Sequence, residues 1–103
     1  MRDKSARIMV EPDPDLMEII PFFMECRRRE LRAMREALAR EDMVAIRWLA
    51  HNLKGAGGSF GFDIASEIGE ALEKSAARGD LNEIEGKLNE LTEYFNRVEV
   101  VGD

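Results

Sequence analysis

The sequence predicts an all-α protein: an antiparallel up-and-down four-helix bundle with a short extra helix at its amino-terminal end. Three observations carry that prediction. Apolar residues recur at spacings of three and four through most of the chain, the period of one buried helix face. The breaks at Glu41-Asp42, Gly61 to Asp63 and Gly79-Asp80 are too short to connect anything but antiparallel neighbours. No alternating strand pattern occurs before the last few residues, and 103 residues make one domain with one core.

The elements follow in order. Residues 1–12 have no sustained period and read as a loosely ordered lead-in, with Ile8, Met9 and Val10 available for packing; the domain proper spans 13–99 and a frayed tail 100–103. Asp13 is placed as an N-cap with Pro14 at the first helical position, opening a short helix to Ile20 that Pro21 kinks or ends. From Pro21 to Arg40, Met24, Leu31, Met34 and Leu38 mark a second helix, and Arg27-Arg28-Arg29 reads as a solvated, snorkelling set. Asp42 caps a third, whose stripe of Ile46, Leu49, Ala50, Leu53, Ala56, Gly57 and Phe60 is the cleanest before the last helix. Ile64, Ile68, Ala71 and Leu72 define a fourth, ending near Arg78. Gly79 supplies its stop, and Asp80 with Glu83 reads as a capping box for the last helix. There Leu81, Ile84, Leu88, Leu91, Phe95 and Val98 keep the period throughout.

Composition excludes several functions. Fifteen basic residues against 21 acidic give a net charge of −6, which disfavours a general nucleic-acid binder. Cys26 is alone, so no intramolecular disulfide forms, and one histidine with one cysteine cannot assemble a zinc cluster. The longest apolar run, Leu16 to Met24, is broken by Glu18 and Pro21, far short of the ~20 residues that span a bilayer. With no apolar signal core at the amino terminus, the expected location is cytoplasmic.

One stretch breaks the helical rules. The chain's only histidine, His51, precedes Gly55, Gly57, Gly58 and Gly61, although each glycine within a helix costs about 1 kcal/mol relative to alanine. At about 100° per residue, Leu49, Leu53 and Phe60 lie within roughly 40° of the point opposite His51, so the histidine faces away from the core. Its face carries Val44, Trp48, Gly55 and Gly58, flanked by Arg47 and Lys54. Gly57 sits on the buried side, where close packing explains it. Gly55 and Gly58 clear the ground over which a large partner reaches the imidazole, and Trp48 and Val44 border that ground with apolar surface.

A free histidine titrates near pH 6.5, so at neutral pH a neutral imidazole offers one nitrogen as nucleophile, and a phosphoryl group is a natural electrophile for it. A hydrogen bond from the other nitrogen would fix its tautomer, and Glu73 is the candidate acceptor. From His51 to Phe60 the helix climbs about 13 Å, and from Asp63 to Glu73 the returning helix descends about 15 Å, so the two side chains stand at one level. The wheel nevertheless sets Glu73 away from the Ile64, Ile68 and Leu72 stripe, and a merely solvated glutamate stays open as the other reading. Lys54 stands three residues beyond His51, placed to neutralise part of a phosphoryl group. An exposed charge pair is worth only about 0–1 kcal/mol, so the rest of the transition-state stabilisation, magnesium included, must come from a partner. No phosphate-binding loop or kinase motif is present.

With these residues in view, His51-x-x-Lys54-Gly55, then Gly58 and Gly61, then Leu72-Glu73 and Ala77-Arg78-Gly79-Asp80, the chain resembles the histidine-containing phosphotransfer (HPt) domain of bacterial multistep phosphorelays. The run Gly58-Ser59-Phe60-Gly61-Phe62 is also similar to the phosphotransfer domain of chemotaxis kinases. The resemblance covers roughly residues 14–98. It implies a four-helix bundle with an extra amino-terminal helix, in which His51 takes a phosphoryl group from the aspartyl phosphate of one receiver domain and passes it to the aspartate of another. It further implies that Lys54 faces the phosphoryl group, Gly55 keeps access open, and Glu73 hydrogen-bonds the imidazole.

The function expected is therefore a phosphoryl carrier, not an autonomous enzyme, without cofactor or metal of its own. Its expected partners are receiver domains of response regulators or hybrid kinases, docking over Val44, Arg47, Trp48, Gly55 and Gly58 on a monomer. A helical docking module that binds receivers or kinases without being phosphorylated is the alternative. A hydrolase using His51 as general base is a third reading, for which no nucleophile or cleft can be assigned. The initial Met1 and the self-contained length lean towards a free-standing carrier over a domain cut from a kinase.

Overall fold

A computed structural model of the protein describes residues 8–10 and 14–100, with side chains from 14 to 98. A short strand, β1 (Ile8–Val10), is followed by a 3-10 helix (Pro14–Ile19) and then by α1 (Ile20–Ala39), α2 (Met43–Ser59), α3 (Asp63–Arg78), α4 (Leu81–Arg97) and the strand β2 (Val98–Val100). Each helix packs on its neighbour in sequence and α4 closes the ring against α1. Cross-helix contacts fix the directions: Arg28 meets Phe95 and Arg35 meets Leu88, while His51 meets Glu73 and Lys54 meets Ser66, so both pairs run antiparallel. The chain is an all-α helical bundle. Among the described residues no helix is long and apolar enough to cross a membrane.

The ends of the chain depart from the sequence reading. Ile8–Val10 pairs in parallel with Val98–Val100, Ile8 opposite Val98 and Val10 opposite Val100. Three-residue strands carry too little pattern to be legible, and Val98, which continues the period of the last helix, is instead the first residue of β2. Pro14 to Ile19 winds as a 3-10 helix, not α. Pro21 opens α1 within its first turn, where a proline's missing N–H costs nothing. The Asp13 cap lies outside the described residues.

Three helix ends share one solution. At Glu41, Gly61 and Gly79 the backbone turns left-handed, at φ 56°, 84° and 68°. In each case the next amide bonds back across the last turn: Asp42 to the Ala37 carbonyl at 2.8 Å, Phe62 to Gly57 at 2.8 Å and Asp80 to Ser75 at 3.1 Å. This Schellman closure satisfies carbonyls that the helix end leaves free and reverses the chain within three residues. Asp42 and Asp80 then cap the following helices by accepting from Ala45 N at 3.0 Å and Glu83 N at 3.1 Å. Only half of the expected capping box forms. The Asp80 amide is already spent on Ser75, and the Glu83 carboxylate turns instead to the Ser75 hydroxyl and the Arg78 guanidinium.

The core is formed by Phe23, Leu31 and Met34 of α1, Ile46, Ala50 and Leu53 of α2, Ile68 and Leu72 of α3, and Ile84, Leu88, Leu91 and Phe95 of α4, with Phe62 from the turn. Phe23 stacks on Phe60 and Phe62, with ring centroids 4.4 and 4.9 Å apart, and so pins the α2–α3 turn to α1. The arginine run is not a uniformly solvated set. Arg27 lies over Phe23 and pairs with the largely buried Glu30 at 2.9 Å, and Arg28 donates to the Phe95 carbonyl at 3.0 Å. Arg28 stays exposed while lying over the Phe95 ring, as a snorkelling arginine does, and Arg29 pairs with Glu25 in the open. Burial pushes the Glu30 carboxyl above its ordinary range, and the Arg27 charge opposes that shift.

Candidate functional site

The α2 sequence has two faces. Ile46, Ala50, Leu53 and Gly57 are buried, and His51 stands on the opposite side with its side chain 61% exposed. Val44, Arg47, Trp48 and His51, at i, i+3, i+4 and i+7, line an open groove whose other wall is Glu73 of α3. Val44 and Trp48 are 77% and 66% exposed, unusual for residues of their size and polarity.

His51 Nδ1 lies 3.2 Å from Glu73 Oε2. An ionised carboxylate only accepts, so Nδ1–H is the donor, and Nε2 is left with its lone pair on the solvent side. The matched rise of the two helices thus brings His51 and Glu73 into contact. The wheel misplaced Glu73 because it took the buried face of α3 from apolar side chains alone. That face holds Ala65, Gly69, Ser75 and Ala76 beside Ile68 and Leu72, whereas Ile64, expected on it, is 46% exposed. Gly69 lies one turn before Glu73, and counting it shifts the face towards α2.

Lys54 follows His51 by three residues, half-buried, and no ion pair to it forms among the described residues. It is not among the residues that line the groove beside the imidazole. Gly55 and Gly58 do not line the groove. They are exposed beyond His51, where a Cβ on Gly55 would meet nothing within 4 Å and one on Gly58 would touch Ser66 Oγ at 3.6 Å. Gly57 is the packing glycine, its Cβ position 3.0 Å from Ser66 N and 3.1 Å from the Phe62 carbonyl oxygen.

Two residues at the site escaped the sequence reading. Gly69 sits where α3 crosses α2 so closely that a Cβ would fall 2.8 Å from Lys54 N and 2.9 Å from Ala50 O. Ser66, one turn earlier, donates its hydroxyl to the Lys54 carbonyl at 2.7 Å. The available signal was a glycine in mid-helix four residues before Glu73, in a helix whose other small residues read as ordinary.

A pinned, exposed imidazole on a helix face bordered by Val44 and Trp48 and lowered by Gly55 and Gly58 can accept and release an electrophilic group delivered by another macromolecule. Residues 19–100 match the family model described as the Hpt domain. No curated protein and no solved structure matches the chain. The matched span includes all four helices and every residue of the His51 site, and with it the chain belongs to the Hpt domain family, whose members serve as phosphocarriers to receiver domains in two-component signalling.

Proposed function

We propose that this protein is a phosphorelay carrier in which His51 Nε2 receives a phosphoryl group from the aspartyl phosphate of one receiver domain and delivers it to the aspartate of another. One observation carries the reading: the imidazole is held by Glu73 at Nδ1, at 3.2 Å, while most of its side chain stays exposed. In the forward step the Nε2 lone pair attacks phosphorus, the P–O bond to the receiver's aspartate breaks, and that carboxylate leaves with the bonding pair. No proton needs to move. Nδ1 keeps its hydrogen, the ring becomes a phosphorylated imidazolium, and the Glu73 carboxylate stabilises the positive charge that develops. The return step reverses these changes on a second receiver.

Lys54 faces the phosphoryl oxygens and offsets part of their charge. It does so in solvent, where such a pair is worth about 0–1 kcal/mol, so the receiver and its magnesium complete the transition state. Val44, Arg47 and Trp48 form the docking border on one side of His51, and Gly55 and Gly58 leave the other side low enough for a partner's active-site loops to descend on the ring.

Incubation with a phosphorylated receiver domain tests this directly. The protein is expected to gain a phosphate that is labile in acid and stable in base, and His51→Gln to gain none. A protein that binds the receiver with unchanged affinity yet acquires no phosphate would be a docking module instead.

A further inference from the structure

We infer that Ser66 and Gly69 form a positioning seam that sets the Glu73 carboxylate on the His51 ring, so that Gly69 acts on the histidine through Glu73 and not merely through packing. The inference rests on the proposed role of His51. Ser66, Gly69 and Glu73 follow one another at i, i+3 and i+7 along one side of α3. They meet α2 in antiparallel order: Ser66 Oγ at the Lys54 carbonyl, 2.7 Å; Gly69 between Lys54 N and Ala50 O; Glu73 Oε2 at His51 Nδ1, 3.2 Å.

The atoms facing Gly69 are backbone. A Cβ there would stand 2.8 Å from Lys54 N, 2.9 Å from Ala50 O and 3.1 Å from Lys54 Cα, and none of these can rotate aside as a side chain does. The helices would have to part or tilt. One turn further on, the carboxylate contact has little to spare, because 3.2 Å is already the long end of an N–H···O bond and a contact near about 3.6 Å is no longer one. By contrast, a Cβ on Gly55, Gly79 or Gly86 would meet nothing within 4 Å. The Ser66 hydroxyl ties the same seam from its other end, so the approach is held as well as permitted.

His51 is the chain's only histidine, and nitrogen-15 spectra of its ring therefore report one tautomer equilibrium without interference. The test uses Gly69→Ala and Ser66→Ala, each alone and combined with Glu73→Gln. Gly69→Ala is expected to shift the ring signals towards those of Glu73→Gln and to slow phosphohistidine formation from a phosphorylated receiver by about tenfold, the worth of one charge-assisted hydrogen bond. In the Glu73→Gln background the same substitution should add less than about twofold, since coupled residues are not additive. Ser66→Ala should move the ring signals in the same direction by less, and it decides the matter if Gly69→Ala does not fold. Unchanged ring signals in the folded variants, or an equal slowing in both backgrounds, overturns the inference. The spectra need no phosphoryl donor, so a wild-type protein that refuses phosphate while its variants still shift the ring would defeat the carrier reading and leave the seam standing.

Discussion

The two long sides of the bundle hold their helices together by opposite means. Between α1 and α4 the work is done by long cations: Arg28 reaches the Phe95 carbonyl, and Arg35 Nη2 reaches Leu88 O, Asn89 Oδ1 and Thr92 Oγ1 at 3.3, 3.1 and 2.7 Å. Between α2 and α3 the seam is made of absences, with Gly57 and Gly69 letting backbone approach backbone and one serine hydroxyl closing the gap. A flexible arginine tolerates shifts in helix separation because it can follow them. A glycine crossing tolerates none. The side that must hold an imidazole against a carboxylate uses the intolerant design, and the side with no such demand uses the forgiving one.

The largest effect is a titration outside both seams, where Tyr94 of α4 lies beside Ile64 and Ile68 of α3. Burial, with the Asp63 carboxylate adding to it, pushes the Tyr94 hydroxyl of α4 up to about 12 from its ordinary 10.0. The folded protein therefore keeps this proton where the unfolded chain has lost it. Its contribution is complete below about pH 10 and disappears as the pH rises to about 12, and with solvent screening of the half-buried hydroxyl discounted it amounts to about 1–2 kcal/mol. Denaturant midpoints measured across that window should fall accordingly. Tyr94→Phe should flatten the slope, whereas Gly69→Ala, in which no titrating group changes, should leave it as steep.

The arginine side gives the next effect. Arg35→Ala removes three hydrogen bonds from a half-exposed guanidinium and should cost about 1 kcal/mol, read as a lower midpoint in urea. The nitrogen-15 signals of His51 should not move. A shift in those signals would mean that the α1–α4 side transmits strain across the core, and the contrast between the two seams would fail.

How much of this was legible in the sequence follows the same division. Helix periods, the Asp42 and Asp80 caps and the outward direction of His51 were readable because they depend on local spacing. Arg27 was misjudged, and the partner of the exposed Arg28 was illegible, because a charged side chain looks solvated until the carboxylate or carbonyl it reaches, Glu30 or Phe95, is placed by tertiary structure. Gly69 went unnoticed because it stands alone in α3, outside the glycine run after His51, on a helix whose buried face was read from large apolar side chains. Its meaning lies in the distance to another helix, which no single-chain period contains. The β1–β2 pair was out of reach for a third reason: its partners lie some ninety residues apart, and three residues hold too little alternation to signal either strand.

The smallest effect on stability is the sharpest test of why the wall around His51 is bare. Gly55 and Gly69 face opposite fates: alanine at Gly69 collides with backbone, while alanine at Gly55 meets nothing within 4 Å. Gly55→Ala should therefore raise stability by about 0.5–1 kcal/mol, the usual gain when a mid-helix glycine acquires a methyl group. The carrier reading expects the same methyl group to stand in a partner's path, so transfer from a phosphorylated receiver should slow while the His51 ring signals stay those of the wild type. A larger residue, Gly55→Gln, should slow it further without loss of fold. If both variants are more stable and equally fast, the glycine does not serve access, and the helix would be weakened at Gly55 for no gain that the partner surface explains.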